Sequence, residues 1–179
     1  MEQKSVFKSN IWQVFEIFTD EPLSMHYIKE ISKKINLAPT SVKIYIKDLE
    51  KNNIIIRKKG ERFEGYIANR ENKNFLFYKK IINLIKIKES GVVEFIKDKL
   101  HPKTISLFGS YLKGEDIEKS DIDILIISKI RKDINLEKYE AILKRNIHLI
   151  IEEDLQKINK NLKLEIINGI VLEGYLEYG

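Results

Sequence analysis

The chain has 179 residues, 43% of them hydrophobic, with no cysteine and a formal net charge of +5, enough apolar material for one ordinary domain or two small ones. No apolar run approaches the ~20 residues that cross a bilayer, and the amino terminus, MEQKSVFKSN, has neither the apolar stretch nor the small-residue cleavage site of a signal peptide, so a soluble cytoplasmic protein without a membrane partner is expected. Without thiols, disulfide frameworks, cysteine nucleophiles and cysteine zinc sites are excluded together, and any metal must be held by oxygen or imidazole. The charge is uneven, with 18 Lys and Arg against 11 Asp and Glu in residues 1–89 and 14 against 16 in residues 90–179. A basic first half suits a polyanion, because each cation set against a phosphate releases a condensed counterion; a lysine- and isoleucine-rich background composition gives the same excess.

In residues 9–19, Ile11, Val14, Phe15 and Phe18 recur at helical spacing, and Asp20-Glu21-Pro22 stops the helix. A second helix is predicted from Ser24 to Ile35, with Ile28, Ile31 and Ile35 on one face. The turn Asn36-Leu37-Ala38-Pro39-Thr40-Ser41 then supplies a proline and hydroxyls that start a third helix, running to about Asn52. There Val42, Tyr45, Ile46 and Leu49 form the buried stripe, leaving Thr40, Ser41, Lys43, Ile44 and Lys47 facing outward. Residues 54–59 and 63–67 read as two short strands around Gly60, a hairpin with a basic tip. Residues 71–89 predict a connecting helix whose wide stripe of Phe75, Tyr78, Ile82, Leu84 and Ile85 suits either a fixed join between domains or the pairing of two copies in a homodimer. Another helix follows from Gly91 to Leu100.

Three short helices and a hairpin over residues 1–70 resemble the winged helix-turn-helix of archaeal and bacterial transcription regulators, most closely in LAPTSVKIYIKDLEKNNIIIRKK. The resemblance implies DNA as a partner, with the third helix in the major groove and the hairpin, or wing, on the backbone. Carried onto this sequence it points to Thr40, Ser41, Lys43 and Lys47 as groove residues and to Arg57, Lys58, Lys59 and Arg62 as wing contacts. A protein-protein role for the same module stays open.

After His101-Pro102, the apolar strand Thr104 to Phe108 runs into Gly109-Ser110, and Asp121-Ile122-Asp123-Ile124-Leu125-Ile126-Ile127 reads as a second strand with two carboxylates at its start. The period of two puts Asp121 and Asp123 on one face. Their mutual repulsion makes them poor stability devices, whereas together they form an open oxygen site for Mg²⁺ or Mn²⁺. Gly109 lets backbone approach a ligand, Ser110 offers a hydroxyl and N–H groups suited to phosphate, and Lys113, one turn on, is placed to neutralise triphosphate charge.

The segment 107–127, LFGSYLKGEDIEKSDIDILII, resembles the minimal nucleotidyltransferases of the DNA polymerase β superfamily. Phe108-Gly109-Ser110 matches the family's glycine-serine turn, Lys113-Gly114 its basic-glycine pair, Ser120-Asp121-Ile122-Asp123 its metal-binding core and Asn168 to Leu172 its closing segment. The implied fold is α/β (α+β): a winged helix-turn-helix over 1–70, a connecting helix over 71–89 and a transferase domain with a small mixed sheet over 90–179. The implied ligands are ATP or another nucleoside triphosphate at Gly109, Ser110, Lys113 and Ser120, and Mg²⁺ or Mn²⁺ at the catalytic Asp121 and Asp123. AMP would pass to a protein or RNA hydroxyl, and in antitoxin members the acceptor is a partner toxin.

A third carboxylate on a later strand completes that family's site; here the strand is best placed at Asn146 to Ile151, where the third catalytic position falls on His148. Imidazole is a poor Mg²⁺ ligand, although it accepts protons and suits Mn²⁺, so a regulator that binds nucleotide without turnover stands as the alternative. Glu152 shares the face of His148 only if the strand continues, about 13 Å further along. Asp133, Glu137 and Glu140 read as solvated helix charges, and His26 and His101 as ordinary surface or packing residues.

Overall fold

The computed structural model describes residues 9–60 and 63–177, which fall into two units dividing between Ile82 and Asn83. The first is built from α1 (Asn10–Asp20), α2 (Ile28–Ile35), α3 (Pro39–Lys51) and the antiparallel pair β1 (Ile55–Lys59) and β2 (Glu64–Ala68), with Ile55 opposite Ala68 and Lys59 opposite Glu64. Pro39 opens α3, where the missing N–H would have had no helical partner. Val42, Ile46 and Leu49 are buried with Val14, Phe15 and Phe18 of α1, while Thr40, Lys43, Ile44 and Lys47 are exposed and Ser41 and Tyr45 half-buried. Helix α4 (Lys73–Ser90) starts where the Asn72 carboxamide oxygen accepts from the amides of Asn74 and Phe75 at 2.8 and 3.2 Å, and it sends Phe75 and Ile82 into this core. Tyr78, expected in the same stripe, is 42% exposed, its ring edge-on to Phe15.

The second helix begins at Ile28, four residues after the predicted Ser24. His26 exchanges both backbone hydrogen bonds with Tyr66, at 2.8 and 2.9 Å, which draws the chain before α2 into an extended bridge beside β2. The buried His26 ring stands edge-on to Phe18 at 5.0 Å with Nε2 3.1 Å from the carbonyl of Glu21, so it is a packing residue. His101 is an exposed residue at the end of α5 (Val92–Leu100).

The second unit carries a four-stranded mixed sheet in the order β5-β4-β3-β6. Strand β3 (Thr104–Phe108) is antiparallel to β4 (Ile122–Ile127) and to β6 (Ile170–Gly174), and β4 is parallel to β5 (Ile147–Glu152). Ile105, Leu107, Ile122, Ile124 and Ile126 pack with Val92, Ile96 and Leu100 of α5 and with Ile87; on the other face Phe108, Leu125 and Ile127 meet Leu155, Ile158 and Ile166, the last on α8 (Lys160–Ile167). Both faces of β3 and β4 are covered, and beyond Asp123 strand β4 reads as the continuous apolar run 124–127. Each such aliphatic side chain contributes roughly 1.5–3 kcal/mol on burial. Two short helices complete the unit, α6 (Gly109–Lys113) and α7 (Glu137–Leu143). Among the described residues no helix is long and apolar enough to cross a membrane.

Candidate active site

Strand β3 feeds directly into Gly109, whose φ of 78° lies in the region that favours glycine. A second constraint acts at the same atom. Phe108 stands opposite Asp123 across the β3–β4 ladder, and a Cβ on Gly109 would overlap Oδ2 of the Asp123 carboxylate. The glycine-serine turn and Asp123 therefore meet at one point, where the positive φ and the close carboxylate both favour glycine. Helix α6 ends after five residues on Gly114, again at positive φ, with the Glu115 amide returning to the Ser110 carbonyl at 3.0 Å.

Asp121 is exposed and sits just before β4, which begins at Ile122, one residue later than predicted; Asp123 lies within the strand, its side chain 29% exposed. The parallel β4–β5 register sets Asp123 opposite His148, and Nδ1 of His148 lies 3.1 Å from Oδ1 of Asp123. Asn146, just before β5, donates from Nδ2 to Oδ1 of Asp121 at 3.3 Å and accepts from the Ile122 amide at 2.8 Å. An open cavity of about 330 Å³ with Lys119, Ser120, Lys144 and Asn146 among its lining residues adjoins this edge.

Lys113, on α6, is ion-paired with Glu165 of α8 at 2.8 Å, both side chains about half exposed. The hydrogen bond to the Glu165 carboxylate holds its ammonium above the usual lysine range. Ser110 is half-buried on the first turn of α6. The Ser120 hydroxyl accepts from the Ile117 amide at 3.0 Å, so it closes the turn that leads into Asp121. Strand β5 does continue to Glu152, but that carboxylate pairs with Arg131 at 2.7 Å, at the far end of the strand from Asp123. Glu140, read from sequence as a solvated charge, accepts from the Ile147 amide at 2.9 Å and caps the start of β5; Asp133 and Glu137 are exposed.

Three residues behind the site carried no sequence signal. Asn83 donates from Nδ2 to the Tyr111 carbonyl at 2.7 Å and to Asp116 Oδ1 at 2.9 Å, and Arg145 Nη2 reaches Asp116 Oδ2 at 3.4 Å. Asp116 is 1% exposed and the Arg145 side chain 6%. The Asp116–Arg145 pair joins the loops that precede β4 and β5, the two loops that carry Asp121 and Asn146, and Asn83 ties Asp116 to α6. In sequence Asp116 is one of several acids in GEDIEKSD, and nothing local separates it from its solvated neighbours.

On the first unit, Thr40, Lys43 and Lys47 lie on the exposed face of α3, and Lys58 and Lys59 are exposed on β1. Arg57 is already engaged, with Nε 3.2 Å from Glu50, Nη1 3.4 Å from Glu64 and its guanidinium over the Tyr66 ring, so most of its charge is matched within the hairpin and α3. Arg62 lies outside the described residues.

The carboxylates suit a hard divalent cation, which is commonly held by one or two carboxylates together with substrate phosphate. Among the described residues no group of three or more acidic or imidazole side chains could hold a metal ion.

Residues 89–172 match the family described as the nucleotidyltransferase domain, and the chain belongs to that family. Protein adenylyltransferase MntA of Thermococcus cleftensis is 35% identical over 78 residues, covering 40% of this chain and 79% of the relative. Two putative protein adenylyltransferases of Methanocaldococcus jannaschii are 37% identical over 83 residues, 35% of this chain and 82% of the relative, and 30% identical over 103 residues, 56% and 93%. No solved structure matches the chain.

Proposed function

We propose that residues 90–179 form an adenylyltransferase that moves AMP from ATP to a protein hydroxyl, the activity for which the relatives are named. The observation that carries this reading is the contact at Gly109, which puts backbone suited to a phosphate against a carboxylate suited to a cation. Asp121 and Asp123 are the residues that would hold Mg²⁺ or Mn²⁺, which when bound offsets triphosphate charge and polarises the α-phosphate. Gly109 and Ser110 face the phosphates, and Lys113 exchanges its pairing with Glu165 for a phosphate oxygen. The acceptor hydroxyl oxygen bonds to the α-phosphorus, its proton passing to water, as the bond to the bridging oxygen breaks and pyrophosphate departs; fixed charges aimed at that transition state supply most of the rate. In the antitoxin form of this reading the acceptor is a partner toxin.

Purified protein incubated with α-labelled ATP and Mg²⁺ or Mn²⁺, alone and with cell extract, is expected to place label on a protease-sensitive acceptor. Label that resists protease and yields to ribonuclease would move the acceptor to RNA. A second reading is favoured by His148 at the Asp123 carboxylate, where the family carries an acid: a regulator that binds nucleotide without turnover. Bound nucleotide with no transferred label in either metal would select it.

We further propose that the first unit is a winged helix that binds DNA through α3 and the β1–β2 hairpin. Support comes from the order of its elements and from the exposed Thr40, Lys43 and Lys47 on one face of α3. Lys43→Ala with Lys47→Ala is expected to weaken duplex binding and to flatten the log-log salt dependence by about one unit per lysine that meets a phosphate. Anisotropy titrations at four salt concentrations read this; an unchanged slope removes α3 from the DNA face.

A further inference from the structure

Asp121, just before β4, and Asp123, within it, alternate at one end of the sheet, and Asn146, just before β5, and His148, within it, alternate in the same way beside them. Because β4 and β5 are parallel and in register, with Asp123 opposite His148, the two pairs stand as two rungs: Asn146 to Asp121 at 3.3 Å and His148 to Asp123 at 3.1 Å. The backbone carbonyl of Asn146 accepts from the Ile122 amide directly after Asp121, which holds the two segments side by side whatever residue stands at 146. We propose that Asn146 is a positioning residue, which fixes the orientation of the Asp121 carboxylate so that its second oxygen is presented for a cation.

Asp121 is exposed and lies outside the ladder of β4, so neither packing nor strand geometry limits its side chain to one of the staggered rotamers. A carboxylate that must find its orientation as the cation arrives binds it more weakly than one already held there. An amide suits this position because it donates a hydrogen bond yet leaves the carboxylate its full negative charge, whereas a lysine at the same place would compete with the cation. Residues that orient a metal ligand commonly change affinity by about 10–100-fold when removed. Asn146 is itself exposed, so its substitution leaves the core intact.

This inference rests on the metal-dependent reading above, and one titration separates the two. Mn²⁺ is titrated into the 179-residue chain with a non-hydrolysable ATP analogue, and free Mn²⁺ is read by electron paramagnetic resonance for the wild type, Asn146→Ala, Asn146→Gln and Asp121→Asn. The expected result is Mn²⁺ binding about 10-fold weaker in Asn146→Ala, recovered largely in Asn146→Gln, which keeps the donor, with all melting temperatures within a degree or so of each other. Equal affinity of the wild type and Asn146→Ala would overturn the positioning role, as would a Gln variant no better than Ala. A wild type whose Mn²⁺ binding is indifferent to Asp121→Asn would overturn the cation site itself, and the positioning role with it.

Discussion

Asp123→Asn is expected to transfer no measurable label from α-labelled ATP while melting at the wild-type temperature. The replacement keeps the volume beside Gly109, and an amide can still meet His148 Nδ1 across the ladder, so the fold loses little. What goes is the negative charge. Charge stabilisation by a bound cation is worth several kcal/mol, and at about 1.4 kcal/mol per tenfold this is a loss on the order of 10³-fold. Asp121→Asn should act in the same direction, and the double variant should also lose metal-dependent binding of ATP. Nucleotide binding that survives unchanged in the double variant would sink the metal-site reading, whatever happened to transfer.

Asp116→Ala should be the most damaging single substitution in the second unit away from its apolar core, costing about 3–5 kcal/mol. Removing the carboxylate takes away the partner that Arg145 meets at 3.4 Å in a setting where the guanidinium side chain is 6% exposed, and it strips an acceptor from Asn83. The cost comes mainly from taking the carboxylate away from a buried guanidinium, because the pair itself contributes little net stability once desolvation is counted. Against a typical total of about 5–15 kcal/mol this is a large fraction. Urea denaturation followed by far-ultraviolet circular dichroism should show a transition moved to much lower denaturant, with Asp116→Asn less affected because one oxygen remains for Asn83 or Arg145. A midpoint equal to the wild type would show that the pair does not hold the two loops.

Residues whose partners are near in sequence, or whose pattern is periodic, declared themselves before any coordinates. Strand β4 is readable because burial on both faces leaves the apolar run 124–127 after Asp123, β3 because Ile105, Leu107 and Phe108 lie between Pro102 and Gly109, and the outward positions of α3 follow from the spacing of Val42, Ile46 and Leu49. The family resemblance puts the third position on His148, but that it stands opposite Asp123 follows from the parallel β4–β5 register, which no local pattern encodes. The rest depended on partners far along the chain. The late start of α2 is fixed by Tyr66, forty residues beyond His26; the burial of Asp116 by Asn83 and Arg145, 33 and 29 residues away; and the pairing of Lys113 by Glu165, 52 residues away. A lone acid or lysine in a polar stretch has no local feature that tells a solvated charge from a clamped one. Glu140 shows the same ambiguity, since its use as a cap for the Ile147 amide exists only once β5 is in place.

Strand β6 is the last of the sheet to be synthesised, yet it pairs with β3, the first. A growing chain therefore carries β3, buried along its whole length in the finished unit, with one edge open while the next sixty-odd residues are still being added. Open apolar edges recruit strands from other molecules, and the arrival of residues 170–174 closes that edge of β3.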